Sequence, residues 1–230
     1  WYLKAAENGN DSAQFNIAVM YENGEGLDKN TEKALYWYEQ AAEQNYDMAL
    51  YNLGYSYEFG DIVAKDIPKA ISYYERAAEV DYQEAFFRLG YIYDIGAGIK
   101  EDNAKAIDFY NEAGQRGNDF ALYNLGLMYD DGDGVKVDDK KAVDLYSQSA
   151  RLGNSSAQNN LGIMYLYGEG VKRDVATALM WFLLAAEQGE ELAIENVKSA
   201  RLRLRKKHEK SAEMAVARCL KTNYEICEVE

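Results

Sequence analysis

Written with a step of 36 residues, the chain aligns with itself through five consecutive copies, beginning at Ser12, Met48, Glu84, Phe120 and Ser156. A repeat of this length restricts the fold more than any local motif can, because each copy must form the same small unit and bury its apolar face on its neighbours. In the first half of each copy alanine recurs at Ala13, Ala49, Ala85, Ala121 and Ala157. Four residues later comes an aliphatic residue, at Ile17, Leu53, Leu89, Leu125 and Leu161. Another four residues on stands a tyrosine, at Tyr21, Tyr57, Tyr93, Tyr129 and Tyr165. These offsets put one apolar stripe on one face of a helix, here called helix A. In the second half Ala34, Ala70, Ala106, Ala142 and Ala178 are each followed four residues on by an aromatic ring, at Tyr38, Tyr74, Tyr110, Tyr146 and Phe182. That pattern makes a second helix, B. The expected fold is all-α, an α/α superhelical solenoid of 36-residue helix-pair repeats.

The punctuation between the helices agrees with this reading. A glycine at Gly24, Gly60, Gly96, Gly132 and Gly168 lets the chain leave helix A with positive φ. Asn30, Asp66, Asp102, Asp138 and Asp174 then stand where helix B needs an N-cap. Pro68, the only proline, falls in the first turn of its helix B, where its missing N–H does no harm. Asn45, Asp81, Gly117, Gly153 and Gly189 follow helix B and tolerate a left-handed turn. In the second copy Ile62 replaces a glycine, so the backbone of that loop is expected to differ. The stretch Tyr129 to Asp139, "YDDGDGVKVDD", resembles a calcium loop, but its extra aspartates occur in one copy only and no glutamate follows at the distance an EF-hand requires. It reads as a turn with an acidic, solvated surface.

Charge narrows the choice of partner. Residues 199–230 carry eight Lys/Arg against five Asp/Glu, whereas residues 1–198 carry seventeen against thirty-four, a net −17. A body this acidic repels a phosphate backbone, which argues against nucleic acid. No apolar run is long enough to span a bilayer. The opening "WYLKAAENGN" reads as the inside of a helix, as expected of a trimmed or processed chain, and its lack of a targeting signal proves nothing about compartment.

The segment "AQNNLGIMYLYGEGVKRDVATALMWFLLAAEQG" resembles, nearly throughout, the repeat of the Sel-one-like (SLR) family, relatives of the tetratricopeptide repeat. The resemblance covers residues 1 to about 198: half a repeat, five full repeats and the start of a sixth. It implies a right-handed α/α solenoid serving as a non-catalytic scaffold or adaptor for a protein or peptide partner, and the chain is expected to be a monomer. Residues 199–230 are expected to form a helical cap that closes the last apolar face. The cap's Arg201, Arg203, Arg205, Lys206, Lys207 and Lys210 read as a solvated surface, with an anion-binding patch as the alternative.

Cys219 and Cys227 are eight residues apart, which on one unbroken helix is about 12 Å, too far for a disulfide. A break at 222–224 leading into a second helix would let them meet. The spacing is similar to that of cysteine-rich bacterial SLR proteins, in which such a pair staples helix B to the next helix A. A bond here would favour an oxidising, extracytoplasmic location, periplasmic or exported; two small buried apolar residues are the alternative. His208, the only histidine, has no nucleophile partner identifiable by spacing, and with the two cysteines it matches no standard zinc site. No phosphate loop occurs, and neither a cofactor nor a metal is expected. The alternative function, a cell-envelope small-ligand binder or a hydrolase of β-lactam or cell-wall type, rests on cysteine-rich SLR relatives alone.

One polar position recurs on helix A, at Asn16, Asn52, Arg88, Asn124, Asn160 and Asn196, about 100° round from the aliphatic core position. In tetratricopeptide-like solenoids helix A lines the concave side, so this ladder is expected there. With it would go Tyr55, Phe59, Tyr91, Ile92, Met128, Met164 and Tyr167, making a partner-binding groove of amides and adaptable apolar contacts. The planar fork of Arg88 would then suit an acidic side chain or a terminal carboxylate. The competing reading is that the asparagines brace neighbouring helices.

Overall fold

The computed structural model describes residues 1–229. Among the described residues there are thirteen helices and no strand. In chain order they are α1 (Tyr2–Glu7), α2 (Asp11–Asn23), α3 (Thr31–Glu43), α4 (Asp47–Phe59), α5 (Ile67–Glu79), α6 (Gln83–Ile95), α7 (Asn103–Gln115), α8 (Asp119–Asp131), α9 (Asp139–Arg151), α10 (Ser155–Tyr167), α11 (Val175–Glu187), α12 (Glu191–Arg201) and α13 (Lys206–Lys221). The even-numbered helices are the A helices of the repeat, and α3, α5, α7, α9 and α11 are the B helices. The architecture is the all-α, tetratricopeptide-like helix-pair solenoid expected from the periodicity.

The chain divides into two compact units, one running from Trp1 to Phe109 and one starting at Tyr110. In the first, consecutive helices pack on one another from α1 to α6; in the second, α8 to α12 do the same and α13 packs on α11. Each interface is built from the recurring stripe. Ala49, Leu53, Ala85, Leu89, Ala121, Leu125 and Ala157 are fully buried, as are the B-helix rings Tyr38, Tyr74, Tyr110, Tyr146 and Phe182. Small alanines bring the helix axes together, and the rings fill the space between. The glycine after the aliphatic residue makes this possible. A Cβ on Gly54, Gly126 or Gly162 would sit 2.6 to 2.7 Å from the rings of Tyr74, Tyr146 and Phe182 respectively. The rings therefore lie directly on the A-helix backbone.

The expected punctuation is present throughout. The five first-loop glycines have φ between 60° and 81°, and Asn45 and Asp81 take the left-handed conformation at φ 60° and 63°. The side chains of Asn30, Asp66, Asp102 and Asp138 each accept from the backbone N–H three residues on, and Asp174 accepts from those of Ala176 and Thr177. The second loop does differ: Gly26, Gly98, Gly134 and Gly170 have positive φ, but Ile62 does not, because its side chain would collide with its own backbone there.

The C-terminal cap departs from expectation in one respect. The chain breaks after α13 with Asn223 and Tyr224 at φ 49° and 67°, but among the described residues no second helix follows. Residues 225–229 return as an irregular tail, held where the Ile226 N–H donates to Thr222 Oγ1 and the Tyr224 N–H to the Cys219 carbonyl. This fold-back brings the two Cα atoms to 4.5 Å and bonds Cys219 to Cys227, so the staple joins a helix end to a tail and not to a following helix. Both cysteines are buried. Arg201 closes α12 on α13 through Glu209 at 2.8 Å and Glu213 at 3.1 Å, so one of the six basic cap residues is spent on packing the cap itself.

Candidate functional site on the A helices

At Asn52, Arg88, Asn124 and Asn160 the recurring polar position of helix A belongs to a node with a B-helix tyrosine, whereas Asn16 donates to the Ser12 carbonyl of its own helix and Asn196 to Asn159 Oδ1. The hydroxyl of the buried B-helix tyrosine donates back to a carboxylate on the preceding helix A. Tyr38 donates to Glu22 at 2.5 Å, Tyr74 to Glu58 at 2.8 Å and Tyr146 to Asp130 at 3.1 Å. From the following helix A the polar residue reaches the same node. Asn124 Nδ2 donates to the Tyr110 hydroxyl at 3.0 Å, and the amides of Asn52 and Asn160 lie beside the hydroxyls of Tyr38 and Tyr146 and oppose the rise in their pKa. Each node satisfies a buried hydroxyl that would otherwise cost free energy. Burial, and then the adjacent carboxylate, hold Tyr38 and Tyr74 far above the usual tyrosine range. Burial does the same for Tyr146, opposed by the Asn160 amide. Burial also raises the Asp130 carboxyl, against the hydrogen bond from Tyr146.

Arg88 is the exception within this series. Its Nε and Nη2 meet the two oxygens of Glu58 at 3.1 and 2.5 Å, and its guanidinium lies over the Phe59 ring at 5.0 Å and near Tyr91 at 5.8 Å. Burial lowers the Arg88 pKa, but the hydrogen bond and charge of Glu58 outweigh it and the net shift is upward. The fork expected to hold a partner's carboxylate is thus already occupied by the chain's own.

Other members of the expected groove separate into two sets. Ile92, Met128 and Met164 are buried at 0, 3 and 2% exposure, which corrects their placement on a binding surface. Each lies three residues after a core leucine, and that spacing keeps it on the core stripe. Tyr55, Phe59, Tyr91 and Tyr167 are exposed at 41, 51, 36 and 60%. In the first unit Tyr55 and Phe59 of α4 pack ring to ring at 4.4 Å, and Ile95 of α6 is likewise exposed. Beside them a cleft of about 270 Å³ opens between α2 and α4, lined by Glu22, Tyr51, Asn52, Tyr55, Ser56 and Asp61. The carboxylates Glu22, Glu58 and Asp130 did not emerge from the sequence reading, although a signal exists: an acid stands sixteen residues before each B-helix tyrosine, and where the tyrosine becomes Phe182 the acid becomes Leu166.

Among the described residues His208 is not brought together with the two cysteines as a zinc site would require. His208 is exposed on α13, and the cysteines are bonded to each other. The "YDDGDGVKVDD" loop uses Asp138 as a helix cap and Asp130 as an acceptor for Tyr146, while Asp131 and Asp133 face solvent. Among the described residues no helix is long and apolar enough to cross a membrane.

The model of the Sel1 repeat matches residues 1–10, 11–46, 47–82, 83–118, 119–154 and 155–190. The chain belongs to the Sel1 repeat family. Members of this family are generally protein-interaction scaffolds and typically non-catalytic. A protective antigen of uropathogenic Escherichia coli with an SLR fold is 33% identical, with a TM-score of 0.82 over 97% of this chain and 49% of that one. The present chain therefore spans about half of that protein's length. A Sel1 repeat protein from Oxalobacter formigenes is 32% identical, with a TM-score of 0.74 over 92% of this chain and 89% of that one. A search of curated proteins found no match.

Proposed function

We propose that this Sel1 repeat chain is a non-catalytic module that binds another polypeptide along the outward face of its A helices. The observation that carries the reading is the repeated exposure of large apolar side chains at two register positions of helix A, Tyr55 and Tyr91, then Phe59, Ile95 and Tyr167. Large apolar side chains left in water at the same place in neighbouring repeats, Tyr55 with Tyr91 and Phe59 with Ile95, are what an extended partner would cover. In the polar ladder beside them Arg88 is engaged with Glu58 and Asn124 with Tyr110, which favours a bracing role for those side chains over partner contact. The Cys219–Cys227 bond favours an oxidising compartment for this activity.

A photo-crosslinking residue placed at Tyr91 should capture a partner in the native source, while the same residue at Tyr36, which is exposed on helix B, should not. Equal capture at both positions, or at neither, would remove the A-helix face as the binding surface.

A further inference from the structure

The chain supplies its own precedent for what the α2–α4 cleft receives. Shifted by one repeat, Glu58 corresponds to Glu22, Arg88 to Asn52 and Tyr91 to Tyr55. In the Glu58 node both carboxylate oxygens are engaged: Oε2 by Tyr74 and Arg88 Nε, Oε1 by Arg88 Nη2. In the Glu22 node Oε2 accepts from Tyr38, and no donor among the described residues reaches Oε1. Asn52 is too short and uncharged to take the place of a guanidinium. Where Arg88 lies in one node, the other has the open cleft of about 270 Å³.

We propose that this cleft receives the guanidinium of an arginine on a partner polypeptide, seated on Glu22 as Arg88 is seated on Glu58. The proposal rests on the A-helix binding face and names the chemistry that the face selects. The lining holds two carboxylates, Glu22 and Asp61, and no cation. Tyr55 occupies the register position of Tyr91, whose ring flanks the Arg88 guanidinium, and Tyr51 supplies a second aromatic wall. A planar fork that pairs with a carboxylate and stacks on aromatic rings is the property that separates arginine from lysine. The excess of acid over base in residues 1–198 draws such a cation in from solution. The fourth node has an aspartate, Asp130, with a shorter reach and an asparagine opposite, so the glutamate cleft is specific to the first repeat pair.

The test uses the whole chain and the blocked tripeptide acetyl-Gly-Arg-Gly-amide, with its citrulline and lysine counterparts, followed by amide chemical shifts. The arginine peptide should shift resonances of Glu22, Tyr51, Asn52, Tyr55 and Asp61, and the neutral citrulline peptide should bind about tenfold more weakly or worse. Glu22→Gln should weaken arginine binding by a similar factor of about ten, and Asp61→Asn, in an exposed loop that leaves the node intact, by roughly threefold. Asn52→Arg should abolish it, because the new guanidinium fills the cleft from within. Equal binding of the arginine and citrulline peptides, indifference to both acidic substitutions, or shifts lying elsewhere would overturn the proposal. Self-association of the chain that Glu22→Gln abolishes would assign the cleft to a second copy and overturn it as well. If the peptide fails while crosslinking at Tyr91 persists, the cleft assignment falls and the binding face stands.

Discussion

Removing the Arg88 side chain with Arg88→Ala is the sharpest probe of how the repeats are held together. The substitution leaves Glu58, 5% exposed, without its countercharge, and Arg88 itself has only 17% of its side chain in solvent. Two charge-assisted hydrogen bonds, at 3.1 and 2.5 Å, are lost together with the stacking on Phe59. Leaving one member of a buried ion pair behind costs about 3 to 5 kcal/mol. The residual exposure of Arg88 and the hydrogen bond that Glu58 keeps from Tyr74 place the expected loss near the lower end, about 3 kcal/mol. Arg88→Asn installs the residue that serves the other nodes and should cost roughly half as much, since one donor remains. Pairing Arg88→Ala with Glu58→Gln should recover part of the loss, with a coupling of about 2 kcal/mol in the double-mutant cycle. Urea unfolding followed by circular dichroism measures the totals, and hydrogen exchange in α4 to α6 locates them, because a solenoid can open locally. A loss below about 0.5 kcal/mol for Arg88→Ala, or a coupling near zero, would refute the view that the polar ladder braces the scaffold.

Gly126→Val should destabilise the second unit by about 1 to 3 kcal/mol, because the added carbons meet the Tyr146 ring at 2.7 Å; an unchanged urea midpoint would show that ring and backbone can part freely. Cys219→Ser opens an eight-residue loop and should cost about 2.5 kcal/mol, read as faster hydrogen exchange confined to α13, while the unreduced wild type should be lighter than the reduced form by two hydrogens. Tyr38, Tyr74 and Tyr146 hold their protons above the ordinary value of 10.0, so the stability they contribute is complete below the unfolded pKa and is lost as pH climbs above it. With three such groups the stability should fall by roughly 4 kcal/mol per pH unit at most beyond pH of about 10, and phenolate absorbance should show these rings ionising only as helicity disappears. Titration of every tyrosine near 10 in a chain that remains helical would contradict the buried nodes.

Much of the fold was legible because it is local and repeated. Helix A and helix B follow from offsets of four residues. The turns follow from the few residue types that accept positive φ, and the caps from side chains whose acceptor lies three residues from its donor, and the structure places all of these as read. A single departure in the repeat was informative too: Ile62 in place of glycine alters its loop. The surface was harder to read. Ile92, Met128 and Met164 stand one turn from the polar ladder, and only the packing of neighbouring helices shows that this turn belongs to the core.

The sequence by itself determined the unit, its length, its caps and the stripe that makes one repeat stack on the next, because those depend on bonds and angles within a few residues. What the polar ladder does was decided by tertiary structure. Whether Asn52 or Arg88 faces a partner or a neighbouring helix depends on a tyrosine fourteen residues before it and a carboxylate thirty before it, and periodicity on one helix carries no information about a third. The same holds for Cys219 and Cys227, whose bond required a left-handed break at Asn223 and Tyr224 that non-glycine residues adopt only when the surrounding chain holds them there.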